Sequence, residues 1–272
     1  MRLKRIALLL LGVVLAAACI PQPAVPSGSP TPGVPRTLTV LAAASLTESF
    51  TELGQLFEAR YPQVKVTCNF AGSQQLAHQL AQGAGADVFA SASPKNMDAV
   101  VQSGRIDRAS VRTFARNRLV VIVPAGSSRV QQLRDLAQAN LKLDLADPSV
   151  PVGQYSLEFL DKVALDPAFG PTFKASVLKN VVSYEENVKA VVTKVALDEA
   201  DAGIVYATDA IDRPGSKIAR LDIPEPLNVV AVYPIAPILG SRNADLARAW
   251  IDLLLSPEGQ RVMEKYGFAS AG

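Results

Sequence analysis

Short apolar runs alternate with amphipathic helical segments from residue 37 onward, and this alternation constrains the fold of the 272-residue chain more than any other feature. Patterns typical of strands cover residues 38–41, 64–70, 88–91, 119–123, 142–146, 202–206 and 227–233. Patterns typical of helices cover residues 49–61, 74–83, 94–103, 130–137, 155–163, 187–198, 244–255 and 257–266. A chain that alternates in this way forms βαβ units, in which helices cover a mostly parallel sheet. We therefore predict an α/β fold.

Two strongly apolar strand patterns, residues 119–123 and 227–233, divide this series. We interpret them as the connections between two lobes. The first lobe would comprise residues 37–120 plus 233–272, and the second lobe residues 121–232. Because only two segments would join the lobes, the lobes could bend about a hinge and enclose a ligand between them.

Several predicted strands end in small residues that lead directly into a helix. The sequence Ala42-Ala43-Ala44-Ser45 follows the first strand, and similar turns occur at Ala71-Gly72-Ser73, Ser91-Ala92-Ser93 and Pro151-Val152-Gly153. Such turns leave backbone N–H groups, and in some cases a serine hydroxyl, without a partner inside the helix. Four turns of this kind in one chain predict a shared anion-binding site.

Each of these signals also has a simpler explanation. Ser45 and Glu48 match the Ser-x-x-Glu capping box, and Ser73 could cap the helix at residues 74–83 without any ligand. Tyr206 could be an ordinary aromatic residue at the end of a strand, with its hydroxyl near water. The residues alone leave these alternatives open.

The first 36 residues have the pattern of an export signal followed by a tether. Met1-Arg2-Leu3-Lys4-Arg5 precedes an apolar run over residues 6–18, which is too short to span a bilayer comfortably. The run ends in small residues before Cys19, as in the bacterial lipobox, so we expect a signal peptide over residues 1–18 and a lipid on Cys19. Residues 19–36 contain six prolines and predict a tether without a packed core. We therefore expect an extracytoplasmic protein that is anchored to the membrane.

Composition and charge argue against two classes of function. The precursor carries 27 basic and 25 acidic residues, and removal of residues 1–18 leaves 24 and 25, a net charge of −1. The sequence has no basic stripe of the kind that nucleic-acid binding needs. Besides a lipidated Cys19, one cysteine and one histidine cannot supply the usual ligand set of a transition metal. We interpret the remaining cysteine, Cys68, as an unreactive buried thiol.

Taken in order, the motifs resemble those of ModA-type molybdate-binding proteins over residues 38–268. The matching segments are Ala42-Ala43-Ala44-Ser45-Leu46-Thr47, Phe70-Ala71-Gly72-Ser73, Ala86-Asp87-Val88-Phe89-Ala90-Ser91-Ala92, Asp147-Pro148 with Pro151-Val152-Gly153, Gly203-Ile204-Val205-Tyr206 and Lys265-Tyr266-Gly267-Phe268. The resemblance implies the two-lobed periplasmic-binding-protein fold of type II, with a tetrahedral oxyanion in the cleft between the lobes. It implies molybdate or tungstate as the ligand, no cofactor, no catalytic step, a monomeric protein, and the permease of an ABC importer as the partner.

Six residues match the family positions that hold the anion. The resemblance implies hydroxyl donors from two serines and a tyrosine, and backbone N–H donors from three further residues. These residues are Ser45, Ser73, Ala92, Val152, Val188 and Tyr206. A site made only of donors would favour an anion that carries no proton, because a phosphate hydroxyl needs an acceptor.

Two other functions remain open. An exported serine hydrolase could use Ser45 or Ser73 as its nucleophile, although the single histidine, His78, lies in a predicted helix and no Gly-x-Ser-x-Gly motif is present. Alternatively, the same fold could bind another small oxyanion, such as sulfate or thiosulfate.

Overall fold

The computed structural model describes residues 35–211 and 214–271 of the chain. The predicted signal peptide, Cys19 and nearly all of the proline-rich tether lie outside the described residues. The described residues belong to a single compact unit. None of their helices has the length and the apolar character that crossing a membrane would require.

Nine strands occur in the described residues. They are β1 (Arg36–Ala43), β2 (Val64–Ala71), β3 (Val88–Ala90), β4 (Arg112–Pro124), β5 (Leu143–Ala146), β6 (Val181–Glu185), β7 (Ala202–Tyr206), β8 (Ile218–Asp222) and β9 (Val230–Pro237). They join in one continuous sheet of order β2-β1-β3-β9-β4-β7-β5-β6, and β8 pairs with β4 beside this path.

Eight α-helices flank the sheet within the same described ranges. They are α1 (Thr47–Arg60), α2 (Ser73–Ala81), α3 (Pro94–Gln102), α4 (Pro151–Ala164), α5 (Phe173–Lys179), α6 (Val188–Ala196), α7 (Ala244–Leu255) and α8 (Pro257–Lys265). A one-turn 3-10 helix, Ala44–Leu46, connects β1 to α1.

Strand β4 takes part in both ends of the sheet. Its residues 112–118 pair antiparallel with β9, whereas residues 119–124 pair antiparallel with β7 and β8. We call β1, β2, β3, β9 and the first part of β4 the first half of the sheet, and the remaining strands the second half. The predicted division into two lobes stays a prediction, because these halves form one continuous sheet.

The predicted α/β architecture is confirmed, but its strand pairing is more mixed than predicted. In the first half, β1 pairs parallel with β2 and β3, and in the second half β5 pairs parallel with β6 and β7. The pairs β3–β9, β4–β9, β4–β7 and β4–β8 are antiparallel. Since β4 and β9 lie at the centre and run against all their neighbours, the sheet is not mostly parallel.

An aromatic cluster fixes the start of α1 against the first half of the sheet. Trp250 on α7 packs edge-to-face against Phe50 and Phe57 on α1, with ring centroids 5.6 Å apart in both pairs. All three side chains are fully buried, and each buries the large apolar area that dominates core energetics. This packing holds the turn between β1 and α1, which carries Ser45, at the carboxyl end of β1.

Candidate anion-binding site

A small cavity lies where several strands end and helices α2, α4 and α6 begin. Its volume is about 10 Å³, far below the roughly 300–1,000 Å³ of sites for drug-sized ligands. Its lining consists of Ala43, Ala44, Ser45, Ala71, Gly72, Ser73, Ala92, Val150, Pro151, Val152, Asn187, Val188 and Tyr206. The structure therefore brings all six predicted site residues to one cavity, whose size suits a small ion.

Ser45 is buried in the turn after β1, and its hydroxyl faces a tyrosine. The Oγ atom of Ser45 lies 3.0 Å from the Oη atom of Tyr233, and either atom can be the donor of this hydrogen bond. The capping-box explanation for Ser45 is wrong, because Leu46 precedes α1 and makes no side-chain cap. The Glu48 carboxylate instead binds Lys189, at 2.9 Å from each of its oxygens.

Ser73 is the first residue of α2, and its hydroxyl accepts a hydrogen bond from the backbone of Ala92. The N–H of Ala92 lies 3.0 Å from Ser73 Oγ, and both residues are buried. The explanation of Ser73 as a helix cap is wrong, because Gly72 holds the cap position. In this structure Ala92 orients Ser73, and a direct contact between the Ala92 N–H and the anion stays a prediction.

The start of α4 brings backbone N–H groups to the cavity without a side-chain cap. Val150 precedes the helix and makes no capping bond, and Pro151 has no N–H, so Val152 carries the first N–H of the helix. Gly153 is required at the next position, because a Cβ atom there would overlap the carbonyl oxygens of Ala146 and Asp147. This contact lets the helix begin directly against the end of β5.

The start of α6 is arranged differently, because a side chain caps it. The Oδ1 atom of Asn187 accepts a hydrogen bond from the N–H of Ala190 at 3.0 Å. The cap therefore serves the third helical residue and leaves the N–H of Val188, the first helical residue, to other partners. Val188 is buried at the cavity.

Tyr206 closes the cavity from the end of β7. Its side chain is buried, and in the described parts of the chain its Oη atom has no partner with hydrogen-bond geometry. Burial raises the pKa of the Tyr206 phenol well above its ordinary value, so the phenol keeps its proton. A buried hydroxyl without a partner costs about 1–3 kcal/mol, and a bound anion would remove this cost by accepting the proton.

The electrostatic field in the cavity comes from dipoles. None of the described lining residues has a charged side chain. Three helices, α2, α4 and α6, begin at the lining, and the N-terminus of an α-helix carries about half a positive charge. The arrangement can therefore attract an anion without a salt bridge.

Beside the cavity, several contacts connect α1 and α2 to the residues around the start of α6. The side chain of Gln74 donates to the carbonyl oxygen of Glu186, and Gln75 donates to the carboxylate of Glu186, both at 2.9 Å. The ammonium group of Lys189 binds Glu48 at 2.9 Å. We call these three pairs the bridging contacts. They were not predicted from the sequence, although each includes a residue next to a predicted donor or its turn.

The close approach of the two sides also explains a glycine in the lining. A Cβ atom on Gly72 would lie 2.5 Å from the carbonyl oxygen of Glu186. A larger residue at this position would force the start of α2 away from the segment before α6. Gly72 therefore permits the bridging contacts.

Two further residues behind the cavity were also missed. Tyr233 on β9 binds Ser45, and Asn117 on β4 donates to Tyr233 Oη at 3.4 Å. Both are buried. No local pattern marks them, because their partners lie more than 100 residues away in the chain.

The structure does not bring together the residues of a serine hydrolase. His78 is exposed on α2, and its ring nitrogen pairs with Gln82 at 2.8 Å. Ser45 and Ser73 bond instead to Tyr233 and Ala92. Cys68 is half-buried, and burial raises its pKa to about 12, which supports the interpretation as an unreactive thiol.

Comparisons with known proteins agree with the motif analysis. Residues 38–269 match the family described as bacterial extracellular solute-binding protein. The chain is 36% identical to the molybdate-binding protein ModA of Mycobacterium tuberculosis, over 97% of this chain and 95% of that protein. It is 32% identical to YvgL of Bacillus subtilis, named a putative ABC transporter substrate-binding lipoprotein, over 86% of both chains.

A solved structure supports the fold independently of close sequence similarity. The periplasmic molybdate-binding protein of Azotobacter vinelandii superposes with a TM-score of 0.74 at 19% identity, covering 86% of this chain and all of the other. The predicted periplasmic-binding-protein fold and the predicted resemblance to ModA-type proteins are thus confirmed. The chain belongs to the family of bacterial extracellular solute-binding proteins, which includes the ModA proteins.

Proposed function

We propose that the protein captures molybdate or tungstate outside the cytoplasmic membrane and delivers it to the permease of an ABC importer. The names of its relatives support this assignment, and membership of an extracellular solute-binding family indicates a role in binding and transport. The observation that carries the proposal is the convergence of all six predicted site residues on one small cavity, whose described lining has no charged side chain.

The hydrogen-bond donors of the lining explain how a dianion can be held there. Hydrogen bonds to a charged acceptor contribute about 1.5–3 kcal/mol each, and they are shorter and stronger than bonds between neutral groups. Burial beside the helix N-termini reduces the dielectric screening of these bonds. The backbone N–H groups offer no acceptor to a proton on the anion, and each hydroxyl that donates to the anion directs its proton at it, so hydrogen phosphate would bind weakly.

In this proposal, the cavity lies between two lobes that close over the anion. The lobes are those predicted from the sequence, residues 37–120 plus 233–272 and residues 121–232. The bridging contacts support this view, because side chains that follow Ser73 bond to the segment that precedes Val188. Their formation would accompany closure, and their loss would accompany release of the anion to the permease.

Titration calorimetry of the full chain in a mild detergent tests the proposed ligand. We expect tight binding of molybdate and tungstate, and weak or no binding of sulfate and phosphate. The substitutions Ser45→Ala, Ser73→Ala and Tyr206→Phe should each weaken molybdate binding by about 1–3 kcal/mol, since each removes one donor from a buried anion.

Ser49→Ala is the matched control for the serine substitutions. Ser49 is also buried near the start of α1, but its hydroxyl donates to the carbonyl oxygen of Leu46 and it does not line the cavity. We expect its affinity for molybdate to equal that of the wild type. Tight sulfate binding without molybdate binding would replace the proposed ligand, and unchanged affinity in all three site variants would refute the site.

A lipid on Cys19 would keep the protein at the outer face of the membrane. The lipobox pattern before Cys19 supports this proposal, as does the description of YvgL as a lipoprotein. We expect the wild-type chain to incorporate labelled palmitate in bacterial cells and to sediment with membranes. Cys19→Ser should abolish both, and a variant that keeps the label would disprove the anchor. We also propose that the protein is a monomer.

A further inference from the structure

The two serines of the cavity differ in how their protons are directed. Ser73 Oγ accepts from the backbone N–H of Ala92 at 3.0 Å, and an N–H group can only donate. The proton of Ser73 is therefore available for the cavity. For Ser45, the contact with Tyr233 leaves the direction open, because either hydroxyl could donate.

Asn117 favours one direction of the bond between Ser45 and Tyr233. The Oδ1 atom of Asn117 accepts from the backbone N–H of Arg118 at 2.9 Å, which fixes the orientation of the side-chain amide. Its Nδ2 atom therefore faces Thr208 Oγ1 at 2.9 Å and Tyr233 Oη at 3.4 Å. Because an amide NH₂ group only donates, Tyr233 accepts from Asn117 and has its own proton left for Ser45.

Aromatic packing holds the ring of Tyr233 in place beside Ser45. Its ring packs edge-to-face against Phe114, Tyr206 and Phe268, with centroid distances of 6.1, 5.8 and 5.3 Å. The side chain is fully buried, and burial raises the pKa of its phenol far above the ordinary value. The phenol therefore keeps the proton that it donates.

We propose that Tyr233, oriented by Asn117, is a positioning residue that keeps Ser45 a hydrogen-bond donor toward the cavity and so discriminates against anions that carry a proton. Once Tyr233 donates to Ser45 Oγ, the Ser45 hydroxyl turns its own proton toward the cavity. The lone pair of Ser45 Oγ that accepts from Tyr233 is then not open to a protonated oxyanion, and the side of the hydroxyl that faces the cavity is its donor side. This inference deepens the proposed function and rests on it.

The substitution Tyr233→Phe tests the inference, because it removes the phenol and keeps the ring in its aromatic contacts. The full chain in mild detergent is titrated with molybdate, and with hydrogen phosphate at pH 8 by competition. In the variant, the lone pair of Ser45 Oγ that accepted from Tyr233 is released, and the hydroxyl can rotate to accept the proton of hydrogen phosphate. We expect molybdate affinity to fall about tenfold, with hydrogen phosphate affinity unchanged or higher, since one charge-assisted hydrogen bond is at stake.

A double-mutant cycle separates positioning from general structural damage. If Tyr233 acts through Ser45, then Tyr233→Phe should change molybdate affinity less than about twofold in the Ser45→Ala background. Tyr155→Phe is the matched control, because Tyr155 is also buried but does not line the cavity. It should leave the ratio of molybdate to phosphate affinity unchanged.

The outcomes distinguish this inference from the proposed function. A wild-type chain that binds no molybdate overturns both. Molybdate binding by the wild type, with the same affinity ratio in Tyr233→Phe or with additive effects in the cycle, overturns the role of Tyr233 alone. If Tyr233→Phe does not fold, Asn117→Leu replaces it. That variant removes the donor to Tyr233, and it should lower the affinity ratio in the same direction by a smaller factor.

Discussion

The lining of the cavity and the residues beside it differ in charge. We call Glu48, Lys189 and Asp209, which form ion pairs beside the cavity, its rim. None of the described lining residues is charged, yet Lys189, which directly follows the lining residue Val188, takes part in two ion pairs. Its ammonium group lies 2.9 Å from Glu48 and 3.0 Å from Asp209, whose side chain is fully buried. Burial alone would lower the pKa of Lys189, but the two carboxylates raise it above its ordinary value. The cation is thus fully charged and directed at acids of the protein.

The comparison indicates how selectivity and closure can be assigned to separate groups. A free cation in the cavity would attract every small anion, whereas fixed N–H and O–H donors select by their direction, and the N–H groups offer no acceptor to a protonated anion. The rim does not contact the anion and need not be selective. There, Lys189 can connect α1 to the start of α6 through its ion pair with Glu48. A negative charge placed in the lining, where none of the described residues is charged, should therefore have the largest effect on molybdate binding.

Ser73→Asp is the strongest test of this comparison. The carboxylate would stand at the cavity with a charge of −1 against a dianion, at a cost of about 7 kcal/mol for a separation of about 5 Å and an effective dielectric constant of about 20. We expect calorimetry to detect no molybdate binding. Thermal unfolding should still show one cooperative transition, because the helix N-terminus offsets part of the cost of burying the carboxylate.

Ser73→Asn is the control for Ser73→Asp, since it has nearly the same shape and no charge. It should weaken molybdate binding by about 1–3 kcal/mol, as expected for one altered hydrogen bond. Equal losses of molybdate affinity in the two variants would mean that the size of the side chain at position 73, and not its charge, prevents binding.

Strands whose apolar residues are the buried ones could be predicted from the sequence, and a strand with exposed apolar residues could not. The predicted strand at residues 202–206 coincides with β7 (Ala202–Tyr206), whose five residues are all buried. Strand β6 was missed because its apolar residues are not the buried ones: Val182 and Tyr184 are 59% and 50% exposed. The predicted helix at residues 130–137 is only a short 3-10 helix, Leu133–Ala137.

The residues that line the cavity could likewise be predicted from the sequence, whereas the residues that hold them in place could not. The lining residues follow strands and begin helices, so local patterns and family motifs indicate them in a single sequence. Tyr233 is 188 positions from Ser45, and Lys189 is 141 positions from Glu48. Only the packing of the sheet brings these partners together, and no spacing in the chain predicts their contact. Glu48 illustrates this, because its position suggested a local cap and its partner is distant.

Glu48→Gln should give the smallest effect, and it tests the rim. The side chains of Glu48 and Lys189 are 40% and 31% exposed, and ion pairs of this kind contribute up to about 1 kcal/mol. If the pair forms only when the lobes are closed, its loss should raise the dissociation rate of molybdate about two- to fivefold, within that free energy. Salt should also weaken binding less in the variant than in the wild type, because added salt screens an exposed pair. Stopped-flow measurements at low and high ionic strength provide both values.

Glu52→Gln is the matched control, one turn further along α1. Glu52 also binds a lysine, Lys265, at 2.6 Å, but it takes part in none of the bridging contacts and does not line the cavity. Its loss should leave the dissociation rate unchanged, because its partner belongs to α8, which packs against α1. Equal rates for Glu48→Gln and the wild type would show that the rim pair does not report closure. Equal increases in both variants would show that any lost carboxylate on α1 affects the site, so that the contrast between lining and rim would no longer explain release.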